Sequence, residues 1–121
     1  MSGMIYISRV EKIEGKPLVW LSEKIKTPPF SFEARQEAGT LLRKLQNGLR
    51  LTLPHSRQMQ NIGSRCHELR IKDGRIDWRI FYRLDDDAIV IIEIANKKTR
   101  ETPDNIKATC KARLKYYDRR S

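Results

Sequence analysis

Apolar and polar residues along this chain change period several times, and each change marks an element. Pro17–Leu21 (PLVWL) is a short apolar run of strand type, after a polar lead-in at Glu11–Lys16 that contains Gly15. Pro28 and Pro29 then break the chain. Ser31 suits the N-cap of a helix running to about Asn47, with Gly48 as its terminator. Along it Ala34, Ala38, Leu41, Leu42, Leu45 and Leu49 recur at spacings of three and four, which gives one apolar face for a sheet to cover. Leu53–Ser64 is polar and reads as a connector.

The period then drops to two. In His67–Lys72, the residues His67, Leu69 and Ile71 alternate with Glu68, Arg70 and Lys72. Asp73-Gly74 signals a hairpin, either tight there or lengthened through Arg75–Asp77. In Trp78–Leu84, Trp78, Ile80, Tyr82 and Leu84 share one face, and Arg79, Phe81 and Arg83 the other. Asp85–Asp87 makes the next turn, and Ala88–Ala95 is apolar on both faces up to Glu93, as an inner strand would be. Thr102 caps a last helix with Pro103 at its first position. Its apolar stripe is Ile106, Cys110, Leu114 and Tyr117, and a basic stripe of Lys107, Lys111 and Lys115 lies on another face. Strand, helix, antiparallel meander, helix describes a single α+β domain, an antiparallel sheet packed against helices, over residues 1–121.

Composition changes this picture in one respect. With 39% apolar and 33% charged residues the chain has an ordinary folded balance, but the net charge is +10 and the pI about 10.0. The excess is spread along the chain rather than held in a tail, which points to a folded basic surface and a polyanionic partner. Cys66 and Cys110 make no disulfide framework and, with His55 and His67, no zinc spacing. Free buried thiols in a reducing cytosol are expected. The longest apolar run, Ala88–Ile92, is far too short for a bilayer, and the first residues do not read as a signal peptide, so a cytoplasmic protein without a membrane partner is expected.

Glycine-rich phosphate loops, nucleophile elbows and helical histidine pairs are missing from the sequence. His55 follows Pro54 in the connector and reads more readily as an exposed bystander than as a base. His67 reads as a core histidine. The basic residues make the stronger case. Pairing through Asp73-Gly74 would bring Arg70, Lys72, Arg79 and Arg83 onto one face, where like charges repel unless an anion compensates. A phosphate ligand competes with neutralisation by Glu68, Asp73 and Asp77; the two weigh equally for Lys72 and Arg83, and function is favoured for Arg79. Lys97 and Lys98 leave the end of a buried strand, where cations on a rigid element can stabilise charge on a transferring phosphate.

Taken together, Leu41–Gln46, HELR at 67–70, WRIFYR at 78–83, IVIIEIANKKT at 89–99 and the Thr-Pro start of the last helix resemble the RelE/ParE toxin superfamily, and within it the HigB-like, phage-derived branch. The resemblance covers roughly Pro17 to Tyr117; the first sixteen residues fall outside it. It implies a fold like that of microbial ribonucleases and the toxin of a type II toxin–antitoxin pair. Toxins of the RelE and HigB branches cleave mRNA in the ribosomal A site by attack of the ribose 2′-hydroxyl, without metal or other cofactor. Carried onto this sequence, the catalytic set is Arg70, Arg79, Lys97 and Lys98; Lys72, Arg83, Arg65 and His67 are further candidate RNA contacts on the basic surface. An antitoxin, acidic where it covers the basic face, is the implied partner in a hetero-oligomer. The late tyrosine or His/Asp/Tyr group of several RelE-type toxins has no clear counterpart, since Tyr116 and Tyr117 are the only late tyrosines and Tyr117 reads as core. His67 and Glu68 are the nearest substitutes for a general base. Gyrase inhibition of the ParE type and a non-catalytic RNA- or ribosome-binding module are the alternatives. Arg79→Ala is expected to abolish cleavage and leave the fold intact, as for an arginine on a solvent-side strand face.

Overall fold

The computed structural model describes residues 15–99 and 101–120. The elements are β1 (Leu18–Trp20), α1 (Phe32–Gln46), β2 (Ser56–Gln58), β3 (Cys66–Asp73), β4 (Ile76–Leu84), β5 (Ile89–Asn96) and α2 (Asp104–Arg120). They form one five-stranded sheet in the order β1-β5-β4-β3-β2, antiparallel except for the β1–β5 pair, with α1 on one face and α2 on the other. This is the expected α+β class. The lead-in at residues 11–14 lies outside the described residues.

Period-two alternation divides the core into two layers. Leu69, Ile71, Trp78, Ile80 and Tyr82 meet Ala34, Ala38, Leu41, Leu42 and Leu45 of α1. Cys66, Phe81, Val90 and Ile92 meet Cys110 and Leu114 of α2, with Ile106 and Tyr117 against them. Even β1 splits this way, Leu18 and Trp20 going to the first layer and Val19 to the second. Burying a leucine or isoleucine side chain contributes roughly 1.5–3 kcal/mol, so these stripes fix which face each strand presents. Leu49 departs from the expected helix face. It lies beyond the C-cap Asn47 and is 56% exposed.

Turn and cap residues do what their chemistry suggests. The Ser31 hydroxyl accepts from Ala34 N–H at 3.0 Å, and Gly48 takes φ +89° just past α1. The first hairpin is the tight alternative: Asp73 opposes Ile76, and Gly74 has φ +62°. Asp73 also accepts from Ser31 N–H and from Trp78 Nε1–H, both at 2.9 Å, tying the start of α1 to the hairpin, where Phe30 stacks on Trp78 with ring centres 4.1 Å apart. Two readings shift. The connector contains a strand, β2, whose three polar residues have no apolar alternation to reveal it. Thr102 does not cap α2: the Pro103 carbonyl accepts from Lys107 N–H at 3.2 Å, and the Thr102 hydroxyl accepts from Lys97 Nζ instead.

A further departure from the expected pattern is a β-bulge. Phe81 pairs with Glu93 and Tyr82 with Ile91, so Ile92 is the extra residue. Ile91 and Ile94 therefore both join the α1 layer, and Ile92 and Ala95 the α2 layer. Arg113 of α2 donates to the Ile92 carbonyl at 2.8 Å and to Glu93 at 3.1 Å, which satisfies a backbone group next to the irregularity. Beyond the bulge every residue has changed face, and Lys97 comes out on the α2 side with Glu68 and Arg79.

Candidate nucleic-acid interface

Glu68 sits at the centre of the β3–β2 side of the sheet. It opposes Arg57 on β2 and Phe81 on β4, and it has no exposure to solvent. A carboxylate so placed must be paired. Lys97 Nζ donates to its Oε2 at 2.9 Å and, at 3.2 Å, to Thr102 Oγ1. Arg57 and Arg79 approach the other oxygen, Oε1, at 3.3 and 3.6 Å. These last two are ion pairs without hydrogen-bond alignment, and Glu68 Oε1, Arg57 Nε and Arg79 Nε are buried without a hydrogen-bond partner.

Arg70 lies directly across from Arg79 in the β3–β4 register. One buried carboxylate thus stands among Arg57, Arg79 and Lys97, with Arg70 beside them, and positive charge is in excess. Burial is the main influence on Arg79 and pushes its guanidinium below the usual arginine range; Glu68 and then Asp77 oppose that, and Arg70 and then Arg57 add to it. Arg79 is 8% exposed, so it is not the solvent-side arginine the strand pattern suggests. Removing it takes a counter-charge from Glu68.

The four like charges on β3 and β4 do not converge as one set. Lys72 opposes Asp77 and pairs with it at 3.3 Å in an exposed position. Arg83 lies four residues from Arg79 on the same strand face, where Asp85 and Asp118 hold it with four bonds of 2.7–3.0 Å. The Asp118 bonds first, then Asp85, raise its pKa above the usual arginine value. Arg65, with φ +62°, is exposed and 3.5 Å from the same Asp85. Lys98 is exposed at the exit of β5, whereas Lys97 is 3% exposed. His67 is half-buried on the α1 side, stacked on Tyr82 at 5.3 Å, and burial and then Arg50 hold its imidazole below the ordinary value.

β2 covers β3 only as far as Leu69, and the His55 carbonyl accepts from Arg70 N–H at 2.9 Å where that cover ends. Past this point the edge of β3 is open, and a cleft of about 350 Å³ is lined there by Glu37, His55, Arg70, Lys72, Asp77 and Arg79, among others. His55, set aside as a bystander, therefore shares a cleft with both arginines. Only recognition of β2 could have located it, because the antiparallel return of Ser56–Gln58 is what brings residue 55 beside residue 70. Arg57 was missed for the same reason.

The chain belongs to the family of phage-derived Gp49-like proteins (DUF891), whose model matches residues 29–115. The family is one of phage-derived toxins of toxin–antitoxin systems, and it implies an antitoxin as partner. No curated protein and no solved structure matches the chain. Among the described residues, no helix is long and apolar enough to cross a membrane.

Proposed function

We propose that the protein is a toxin of the RelE/HigB kind, an endoribonuclease that cuts mRNA on the ribosome without a metal. The observation that carries this reading is the excess of positive charge where Arg57, Arg70, Arg79 and Lys97 gather around the buried carboxylate of Glu68, beside an open strand edge whose cleft adds Lys72 against Glu37 and Asp77. A phosphodiester is the anion that such a cleft on a basic protein fits.

In this reading the scissile phosphate lies against Arg70 and Arg79. The ribose 2′-oxygen attacks the adjacent phosphorus, the bond to the 5′-oxygen breaks, and the products are a 2′,3′-cyclic phosphate and a 5′-hydroxyl. The arginines stabilise the charge that builds on the phosphoryl oxygens. His55 is the cleft's imidazole, and an imidazole can take the 2′-hydroxyl proton or supply one to the leaving oxygen. Lys97 acts through Glu68, which it neutralises, and so sets how strongly Glu68 restrains Arg79. Lys98, exposed at the strand exit, is a cation available to RNA. The antitoxin would cover this basic face with an acidic segment.

Brief induction in a bacterial host, followed by primer extension across an abundant mRNA, tests this. Codon-phased cuts that vanish when translation is blocked are expected. Growth arrest with intact mRNA would move the reading to another target such as gyrase, and no arrest would leave a non-catalytic binding module.

A further inference from the structure

A second cleft, of about 500 Å³, opens on the α1 side of β2 and β3. Its floor is Tyr82, whose hydroxyl is 2.6 Å from Ser56 Oγ, with the half-buried His67 ring stacked on it at 15° to its plane. Arg50, Arg57 and Gln58 contribute polar groups to its walls, and the lining holds no carboxylate. Arg57 borders this cleft from the edge strand, while its guanidinium reaches Glu68 on the opposite face of the sheet. One loop separates it from the Arg70–Arg79 cleft: residues 50–53 wall the first and residues 54–55 the second.

We propose that this cleft is a nucleobase subsite, in which an unpaired base of the RNA substrate stacks on the second face of the His67 ring. The proposal rests on the nuclease reading and assigns the subsite to that same substrate. A flat π-surface backed by a second ring is a platform any base can use, and such stacking is worth roughly 5- to 150-fold in affinity per base. Arg50 beside it, with no carboxylate in the lining, favours the attached phosphates and disfavours cations. Burial and then the neighbouring Arg50 hold the imidazole below its ordinary value, which favours the neutral ring for stacking. Gln58 and Thr52 lie within the same lining and can meet a base edge. An acidic protein segment would find the same cations but would gain nothing particular from stacked rings, which is why the base is favoured.

The test uses a 2′-deoxy pentanucleotide, which cannot be cleaved, and the same oligomer with one abasic position, titrated into wild-type protein, His67→Ala and His67→Phe. His67→Ala should bind the intact oligomer about tenfold more weakly, whereas His67→Phe, which keeps a flat ring, should stay near wild type. Removing the base should cost wild type as much, and His67→Ala should then add nothing. Equal affinity of wild type and His67→Ala for the intact oligomer would overturn the subsite. If Arg79-dependent mRNA cleavage persists in that case, the nuclease reading stands without it; absence of both binding and cleavage removes both. An amide-shift footprint at residues 50–58 produced by an acidic peptide and not by the oligomer would make the cleft a protein-docking groove and overturn the proposal.

Discussion

Arg79 and Arg83 sit four residues apart on one face of one strand, equally buried at 8% exposure, and meet opposite surroundings. Arg83 is bound by two carboxylates, one from the β4–β5 turn and one from the last turn of α2, so it fastens the helix to the sheet. Arg79 shares one carboxylate with Arg57 and Lys97, has Arg70 across from it, and borders an open cleft. A strand pattern ranks the two alike. What separates the two arginines is the number of carboxylates that other elements bring to each.

Breaking the two ends of this comparison should have different consequences. The largest effect is expected for Arg79→Ala, with mRNA cleavage down about 10²–10³-fold, as when a donor to developing charge is removed. Arg83→Ala should leave cleavage per folded molecule unchanged. Next in size, Glu68→Gln leaves Lys97 buried without its partner, and urea unfolding should register a loss of about 3 kcal/mol. The double variant Glu68→Gln/Lys97→Met should recover most of that; failure to recover would show that Glu68 serves Arg79 and Arg57 more than Lys97. Arg83→Ala comes third, with a lower urea midpoint at unchanged slope and a loss of about 1.5–3 kcal/mol from charged hydrogen bonds.

The smallest effect sharpens the comparison through pH. Arg83 holds the Asp118 carboxyl below its ordinary value of 3.8. A carboxyl more acidic in the folded state stabilises the fold above its unfolded pKa and loses that contribution as pH falls through the lower folded value. Thermal melts should therefore show wild type losing more stability than Asp118→Asn as pH drops below about 4. Equal pH dependence would mean that the exposed Asp118 adds little to the Arg83 tie.

Much of this could be read along the chain. The helix from Ser31, the alternation of β3 and β4, the Asp73-Gly74 turn and the apolar stripe of α2 all follow from local periods and local cap chemistry, because burial of each stripe dictates a face. The resemblance in HELR, WRIFYR and the Lys-Lys-Thr exit identified a toxin family, and the Gp49-like match over residues 29–115 agrees at that level.

Three things were settled only in three dimensions. The strand β2 has no apolar period of its own; it exists because β3 offers an edge, and with it come Arg57 to Glu68 and His55 to Arg70. The extra residue Ile92 reverses the face of everything after it and turns Lys97 inward onto Glu68, where the sequence suggested a lysine at a rim. Asp118, thirty-five residues from Arg83, neutralises it only because α2 packs across the sheet. Local periodicity fixes which way a side chain points within its own element. Which charges it then meets depends on register, bulges and helix docking, and these join residues whose distance along the chain carries no signal.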